Sequence, residues 1–401
     1  MFTSSIKSTA DLMVTVEQAQ SIAKSYRAGN VHIGVLGSHS ALELGMAAKS
    51  FGARTLIVVQ EDRADLYTRN HAHLYDHVVK VKNFKDILNP VVQEELLGHN
   101  TIWVPHRSFT VYVGEDGIER EFGIPIYGNR RMLRTEDRNA EKNQYYFLAQ
   151  AGIRFPKQFK TPKEINAPVI VKVQRADKPL ERGYFIVSTE QEYFREVERR
   201  KGAGILDDEV LGKARMEEYV IGSRANANFH AYALEDLFGG LDFVGFSDRR
   251  QTNLQGFLQL PAVDQPKLGD LPVTNEEVGH YGITTRESLH PLVWKAGETF
   301  VRAVGQEYPP GMIGSFGLQG AWAYSPVDGK TLEFVVFDVS PRIPGDPAIG
   351  PTSPEMRNLS LKLKGLLEDV YGGRRIEDPL DLTVLEILEA ARLNRLSEVV
   401  T

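Results

Sequence analysis

The residues best suited to chemistry on a phosphorylated small molecule sit in two short stretches of the first third of the chain. In "VLGSHSALELGMAAKSFG", Val35–Gly52, a strand turns into a helix at Ser38, His39 and Ser40. A helix N-terminus offers unpaired N–H groups and a partial positive charge, so a phosphate can bind there without Lys or Arg, and two serine hydroxyls would add donors. The spaced glycines that let a backbone approach a pyrophosphate are absent, which points to a monophosphate and away from a dinucleotide-binding hydride-transfer enzyme. Ser38 or Ser40 could also serve simply as a helix cap, but a cap does not call for the imidazole of His39. "TIWVPHRSF" repeats the pattern, with a strand ending at Pro105 and His106, Arg107 and Ser108 following on a loop. Two such strand ends would frame one crevice.

A second set of candidates suits a nucleotide. "VIVKV" puts Lys172 inside an apolar strand, where an ammonium is costly unless an anion neutralises it; the alternative is a lysine that snorkels to solvent. Further on, "MEEYVIG" has the form of a strand entering a turn, where main-chain groups of Glu218 to Val220 could read an adenine edge. "VVFDVSPR" then supplies Asp338 at a strand end, suited to a hard cation.

These residues need elements to hold them. A helix is expected over Val14–Ala28. Strands and helices then alternate up to about residue 125, as in a doubly wound parallel sheet. From Lys142 the texture changes to α+β, with "ANFHAYAL" and "TLEFVVFDV" alternating in period two as half-buried antiparallel strands do. "SPRIPGDPAIGPTSPE" reads as a long irregular loop, and "DLTVLEILEAARLNRL" as an amphipathic helix able to serve an interface. The 401 residues favour two or three domains. The net charge of -6 and the lack of any basic block argue against nucleic acid as a partner. No cysteine is present, so disulfides, thiolate nucleophiles and Cys-ligated zinc are excluded. The N-terminal residues lack the form of a signal peptide and the apolar runs are too short to span a bilayer, so no membrane association and a cytoplasmic location are expected.

The order strand lysine, "EEYV-G", late strand acid and Ser-x-Arg resembles the ATP-grasp fold. The segments "LGSHSAL", "VPHRSF", "P-I-YGNRR-LR", "RGYFI", "EEYVIG", "DRRQTN-QGFLQLPAVDQ", "TRESLHP" and "PPGMIGSFGLQ" run in order through residues 31 to 342. They are similar to the archaeal formate-dependent FAICAR synthetases of purine biosynthesis. The resemblance implies an α/β doubly wound substrate-binding domain over residues 1–127, followed by an α+β ATP-grasp domain over 128–401 with a small lid subdomain at about 150–220. It implies an ADP-forming ligase that joins formate to AICAR, the aminoimidazole carboxamide ribonucleotide (ZMP), through formyl phosphate, giving FAICAR for IMP biosynthesis. Its cofactors are ATP and Mg2+, with Mn2+ as the other candidate ion, and relatives assemble as homo-oligomers. By matched position the AICAR contacts are Ser38, His39, Ser40, Ser108 and His280. The ATP contacts are Lys172, Arg182, Glu217, Glu218, Tyr219, Val220 and Asn253. The metal contacts are Gln319 and Asp338. No catalytic nucleophile or base is implied.

The chain departs from the family pattern in three places. The loop "VQRADKPLERGYFI" lacks the usual glycines before Gly183, so Arg175, Lys178 and Arg182 would replace backbone amides with side-chain cations. Asp338 stands where Glu is commoner. "IPGDPAIGPTSPEMRNLS" replaces a Gly-rich segment to which no role can be mapped. These differences motivate two alternatives: an ATP-grasp ligase with a different carboxylate or amine, and a paralogue that binds nucleotide without turnover.

Overall fold

The computed structural model describes residues 14–173, 183–204, 206–252, 254–268, 277–343, 349–350 and 353–401. Arg175, Lys178, Arg182 and Asn253, singled out above, lie outside the described residues. The first helix spans Val16–Ser25, shorter than expected because Thr15 and Gln18 form a reciprocal capping box at its start.

Strands β1 (His32–Leu36), β2 (Arg54–Gln60), β3 (His77–Val81) and β4 (Thr101–Trp103) form a parallel sheet in the order β3-β2-β1-β4. β1 is buried along its whole length, as a parallel strand covered on both faces must be. Because β2 and β4 flank β1, the turns after β1 and β4 leave from neighbouring positions at the carboxyl edge, where such sheets bind ligands.

Four short strands form a second, antiparallel sheet in the order β5-β8-β6-β7. They are β5 (Gln158–Phe159), β6 (Val169–Val173), β7 (Gly183–Val187) and β8 (Arg215–Glu218). Val169, Val171 and Val173 alternate onto a small core of their own with Phe185, Val187 and Met216. Period two therefore turns Ile170 and Lys172 to the opposite face.

β9 (Ser223–Ala231), β10 (Leu241–Gln251), β11 (Glu277–Ile283), β12 (Gly314–Tyr324) and β13 (Leu332–Ser340) form the third sheet, antiparallel in the order β11-β10-β9-β12-β13. Ala225, Ala227 and Phe229 of β9, with Phe316 and Leu318 of β12, share an apolar core with the helix His290–Glu307. That helix comes so close that a Cβ on Gly297 would lie 2.5 Å from the Phe229 ring. The intervening residues Asn226, Asn228 and His230 make a buried polar face on the other side.

At one end of this polar face a fully buried network joins three parts of the chain. Tyr127 donates to Glu386 Oε2 at 2.5 Å, so its oxygen accepts from His230 Nε2 at 3.1 Å. Glu386 Oε1 also accepts the N–H groups of Ala233 and Leu234 at 2.8 and 3.0 Å. Glu386 belongs to the helix Leu380–Arg392, nearly all of whose residues are buried. This helix packs inside the chain, which corrects the expectation of an amphipathic helix with one face left for an interface. Among the described residues no helix is long and apolar enough to cross a membrane.

The start of the same helix carries a pH dependence. Burial raises the pKa of Asp378 to about 7 and that of Asp381 to about 6, even though both accept backbone N–H groups. A carboxyl whose pKa rises on folding favours the native state in its neutral form. The contribution is complete below about pH 4, where the unfolded chain also carries these groups protonated, and is lost as pH rises through 6 to 7. The Tm of the natural chain should therefore fall relative to that of an Asp378→Asn/Asp381→Asn variant between pH 5 and 8. Parallel thermal melts across that range check this, and equal slopes would refute it.

Candidate active site

The first cluster forms where β1 and β4 end. Gly37 turns the chain tightly under β2: its N–H donates to Val58 O at 2.7 Å, and a Cβ there would lie 3.0 Å from Val59. Ser38 follows, and its Oγ accepts from Ser108 Oγ at 2.9 Å. Ser40 stands at the N-cap position of the helix Ala41–Ser50 but makes no capping bond with its side chain. Its hydroxyl lies 2.9 Å from His39 Nδ1. The capping reading of Ser40 therefore fails. Its φ of 61° is left-handed, a conformation that costs a non-glycine residue of order 1–3 kcal/mol and that clusters at functional sites.

The partner side is not the loop the sequence suggested. His106 caps a helix, Arg107–Val113, by accepting the N–H of Ser108 at its Nδ1. His39, Ser38, Ser40 and Ser108 thus line one polar corner, with the His39 and His106 rings 6.4 Å apart.

The second cluster lies between the small sheet and the five-stranded one. Lys172 Nζ donates to Glu217 Oε2 at 2.5 Å, and Glu217 is fully buried. Burial, reinforced by the neighbouring charge of Arg138, lowers the Lys172 pKa below the ordinary lysine value. Arg138 itself lies 3.5 Å from Asp338 Oδ1, and Tyr145 feels the charges of Glu217, Arg138 and Asp338. Two cations and two carboxylates therefore share one site.

Gln319 and Asp338 are register partners across β12 and β13. Gln319 accepts from Arg249 Nη2, and its Nε2 donates to Ser340 Oγ at 2.8 Å. His280 of β11 is the register partner of Arg249. His280 therefore belongs to this row, on the side of Arg249 and Gln319.

Glu218 to Val220 behave differently from expectation. The N–H of Glu218 donates to Lys157 O at 2.8 Å and that of Tyr219 to Pro168 O at 2.9 Å. The Glu218 carboxylate turns to Arg154 at 3.2 Å. An adenine edge read here would have to use other main-chain groups of the turn.

A third group, which sequence reasoning did not assemble, joins the two clusters. Glu136 accepts from Arg107 Nη1 and lies 2.9 Å from Arg342 Nε. Burial, with the charges of Arg107 and Arg249, lowers the Arg342 pKa, while Glu136 and Asp338 raise it. Arg342 also bears on the charge state of His106. Its guanidinium is thus within electrostatic reach of the serine corner on one side and of Asp338 on the other. Arg138 and Glu136 lie in or beside the irregular segment 130–143 and give no periodic signal. Their partners Asp338 and Arg342 stand some 200 residues away, and no sequence pattern marks them.

The donor set can be tested against a divalent cation. Among the described residues no three His, Cys, Asp or Glu side chains could enclose a metal. Asp338 provides carboxylate oxygen beside the cations Arg138 and Lys172. That fits Mg2+, which usually takes one or two carboxylates and completes its shell with water and substrate phosphates.

Comparison with known proteins agrees with this architecture. A model described as a protein of unknown function (DUF1246) matches residues 33–159, and one described as a domain of unknown function (DUF1297) matches residues 192–401. The 5-formaminoimidazole-4-carboxamide-1-(beta)-D-ribofuranosyl 5'-monophosphate synthetase of Methanopyrus kandleri is 38% identical over 83% of this chain and 88% of its own length. The Methanococcus aeolicus protein of the same name is 37% identical over the same shares. Among solved structures, an IMP biosynthesis protein PurP from Thermococcus kodakaraensis superposes with a TM-score of 0.62 at 22% identity, covering 92% of this chain and all of that one. The ADP complex of purK, an N5-carboxyaminoimidazole ribonucleotide synthetase, superposes with a TM-score of 0.53 at 12% identity, covering 80% and 72%. The fold is that of the ATP-grasp proteins, and by its identity to curated relatives over most of its length the chain belongs to the FAICAR synthetase family.

Proposed function

We propose that this chain is an ADP-forming ligase that uses ATP to join formate to the 5-amino group of AICAR, giving FAICAR. The observation that carries this reading is the continuity of charge from the serine corner through Arg107, Glu136 and Arg342 to Asp338, Arg138 and Lys172. A nucleotide phosphate and a ribonucleotide monophosphate could be held on the two sides of Arg342. In this reading residues 1–127 form the acceptor domain and 128–401 the ATP-grasp part.

The chemistry needs both sides. Formate is a poor electrophile, and the amine of AICAR is a weak nucleophile because its lone pair delocalises into the ring. Transfer of the γ-phosphoryl group makes formyl phosphate and ADP. The amine then attacks the formyl carbon, phosphate departs and the amine loses one proton. Lys172 and Arg138 would bind the nucleotide phosphates and offset the charge of the transferring group, and Arg342 would face the formyl phosphate. Ser38, Ser40 and Ser108 would hold the monophosphate of AICAR, with His39 and His280 orienting the acceptor. Positioning and electrostatics suffice for such transfers. Mg2+, or Mn2+ in its place, held by Asp338 with Gln319 beside it, supplies charge neutralisation of the phosphates when bound.

Purified protein given ATP, Mg2+, formate and AICAR should release ADP, phosphate and FAICAR. Folded, ATP-binding protein that makes no FAICAR would overturn the reading. His39→Ala should raise the KM for AICAR about 10- to 100-fold, the value of one lost hydrogen bond to a charged group, while the KM for ATP stays put. The divergent segments "RADKPLER" and "PGDPAIG" motivate one further reading, a ligase for another carboxylate or amine. Phosphate release across a panel of carboxylates and amines separates the two, and turnover with formate as the sole effective donor excludes the second.

A further inference from the structure

We propose that His106 is a positioning residue for the acceptor substrate: it sets the Ser38–Ser108 hydroxyl pair and ties that pair to the strand that carries Asp338. The inference rests on the functional reading above only in taking the serine corner as the AICAR side.

The imidazole is fully buried and both of its nitrogens are used. Nε2 lies 2.8 Å from Leu36 O, and a carbonyl can only accept, so Nε2 carries the proton. Nδ1 lies 3.1 Å from the N–H of Ser108, so it must offer its lone pair. Only the neutral ring with its proton on Nε2 satisfies both bonds. Burial, with the charges of His39 and Arg342 close by, pushes the pKa down to about 3. Buried and with both nitrogens committed, the ring is neutral at working pH.

What His106 does is geometric. Its Nε2 bond holds the last residue of β1, two positions before Ser38. Its Nδ1 bond holds the backbone of Ser108, whose hydroxyl meets Ser38 at 2.9 Å. Its own backbone forms a parallel bridge with Ile343, directly after Arg342. One side chain thus fixes both serines, and its main chain links them to the end of β13.

Asparagine and glutamine divide the two bonds. The Oδ1 of Asn sits at the same remove from Cβ as Nδ1 and can cap Ser108, but it does not reach Leu36. The amide of Gln reaches toward Leu36 and leaves Ser108 uncapped. The expected result is that His106→Gln raises the KM for AICAR about tenfold, the worth of one hydrogen bond, with the KM for ATP within about twofold. His106→Asn should recover most of that loss, and the pH profile of kcat should be the same in both variants as in the natural chain. Thermal shifts with AICAR and with ATP give the same comparison without turnover. If the glutamine variant does not fold, an asparagine variant with unchanged pH profile and an AICAR KM close to that of the natural chain carries the test.

The proposal is overturned if His106→Gln leaves the AICAR KM unchanged or raises both KM values alike. It is equally overturned if Asn does no better than Gln, or if a limb of the pH profile disappears in either variant. A natural chain that neither binds nor formylates AICAR refutes the functional reading instead, before any variant is made.

Discussion

Lys172→Met is expected to abolish ATP-dependent turnover and to lower the stability of the protein by about 1–3 kcal/mol, the cost of leaving the buried Glu217 carboxylate without the lysine's hydrogen bond. Glu217 is fully buried, and its carboxylate accepts from Lys172. Among the described residues its second oxygen, Oε1, has no hydrogen-bond partner. Without the ammonium, a fully buried carboxylate is left with Arg138 and the Tyr145 hydroxyl beside it. Adding Glu217→Gln removes the stranded charge, and the double variant should regain most of the lost stability. It should not regain turnover, because the cation proposed to meet the nucleotide is gone. Chemical denaturation and ATP binding on the single and double variants test both halves. Equal stability of Lys172→Met and the natural chain would show that Glu217 is not held by the lysine.

Glu386→Leu is expected to bring the fold close to its limit. Three donors, the N–H groups of Ala233 and Leu234 and the hydroxyl of Tyr127, converge on this one carboxylate in a fully buried place. Each donor left without a partner costs about 1–3 kcal/mol, so the total is of order 5 kcal/mol, against a whole-protein stability of about 5–15 kcal/mol. Glu386→Gln should cost far less, because its carbonyl oxygen can still accept from Ala233 and Leu234. Its NH2 then faces the Tyr127 oxygen, and the tyrosine must turn its proton toward His230. Urea denaturation of the two variants checks the order. A leucine variant as stable as the glutamine one would mean that the network contributes nothing.

The two halves of the architecture were legible in the sequence because burial leaves a plain signature. "VHIGVL" and "TLIVVQ" are continuous apolar runs, as strands covered on both faces require, and β9 and β13 alternate because one face meets a helix and the other a polar layer. The C-terminal helix was misread for a definite reason. Asp381, Glu386 and Glu389 look like a solvated face in sequence, yet all three are buried and partnered: Asp381 by the N–H groups of Glu377 and Asp378, Glu386 by Tyr127, and Glu389 by Arg392 and Tyr371. Periodicity cannot tell a buried, satisfied carboxylate from a hydrated one.

At the site, Ser38, His39, Ser108, Lys172, Glu217 and Asp338 could be picked out from strand-end position and the order of motifs. Arg138 and Glu136 could not, since each acquires meaning only from a partner far along the chain. The helical setting of His106 was also hidden: its proline neighbour reads as a loop, and the cap it makes is visible only once Ser108 N–H is seen to need an acceptor.

The bridge between His106 and Ile343, together with that between Tyr127 and Val400, bears on how substrates get in and out. Each stitches the parallel sheet or the segment leaving it to the far end of the chain, so those parts form a single anvil. The four short strands β5 to β8 rest on a separate core and carry Lys172 and Glu217. In the proposed function, admission of nucleotide and escape of ADP would fall to a swing of that small sheet on its separate core, with the acceptor left seated while it moves.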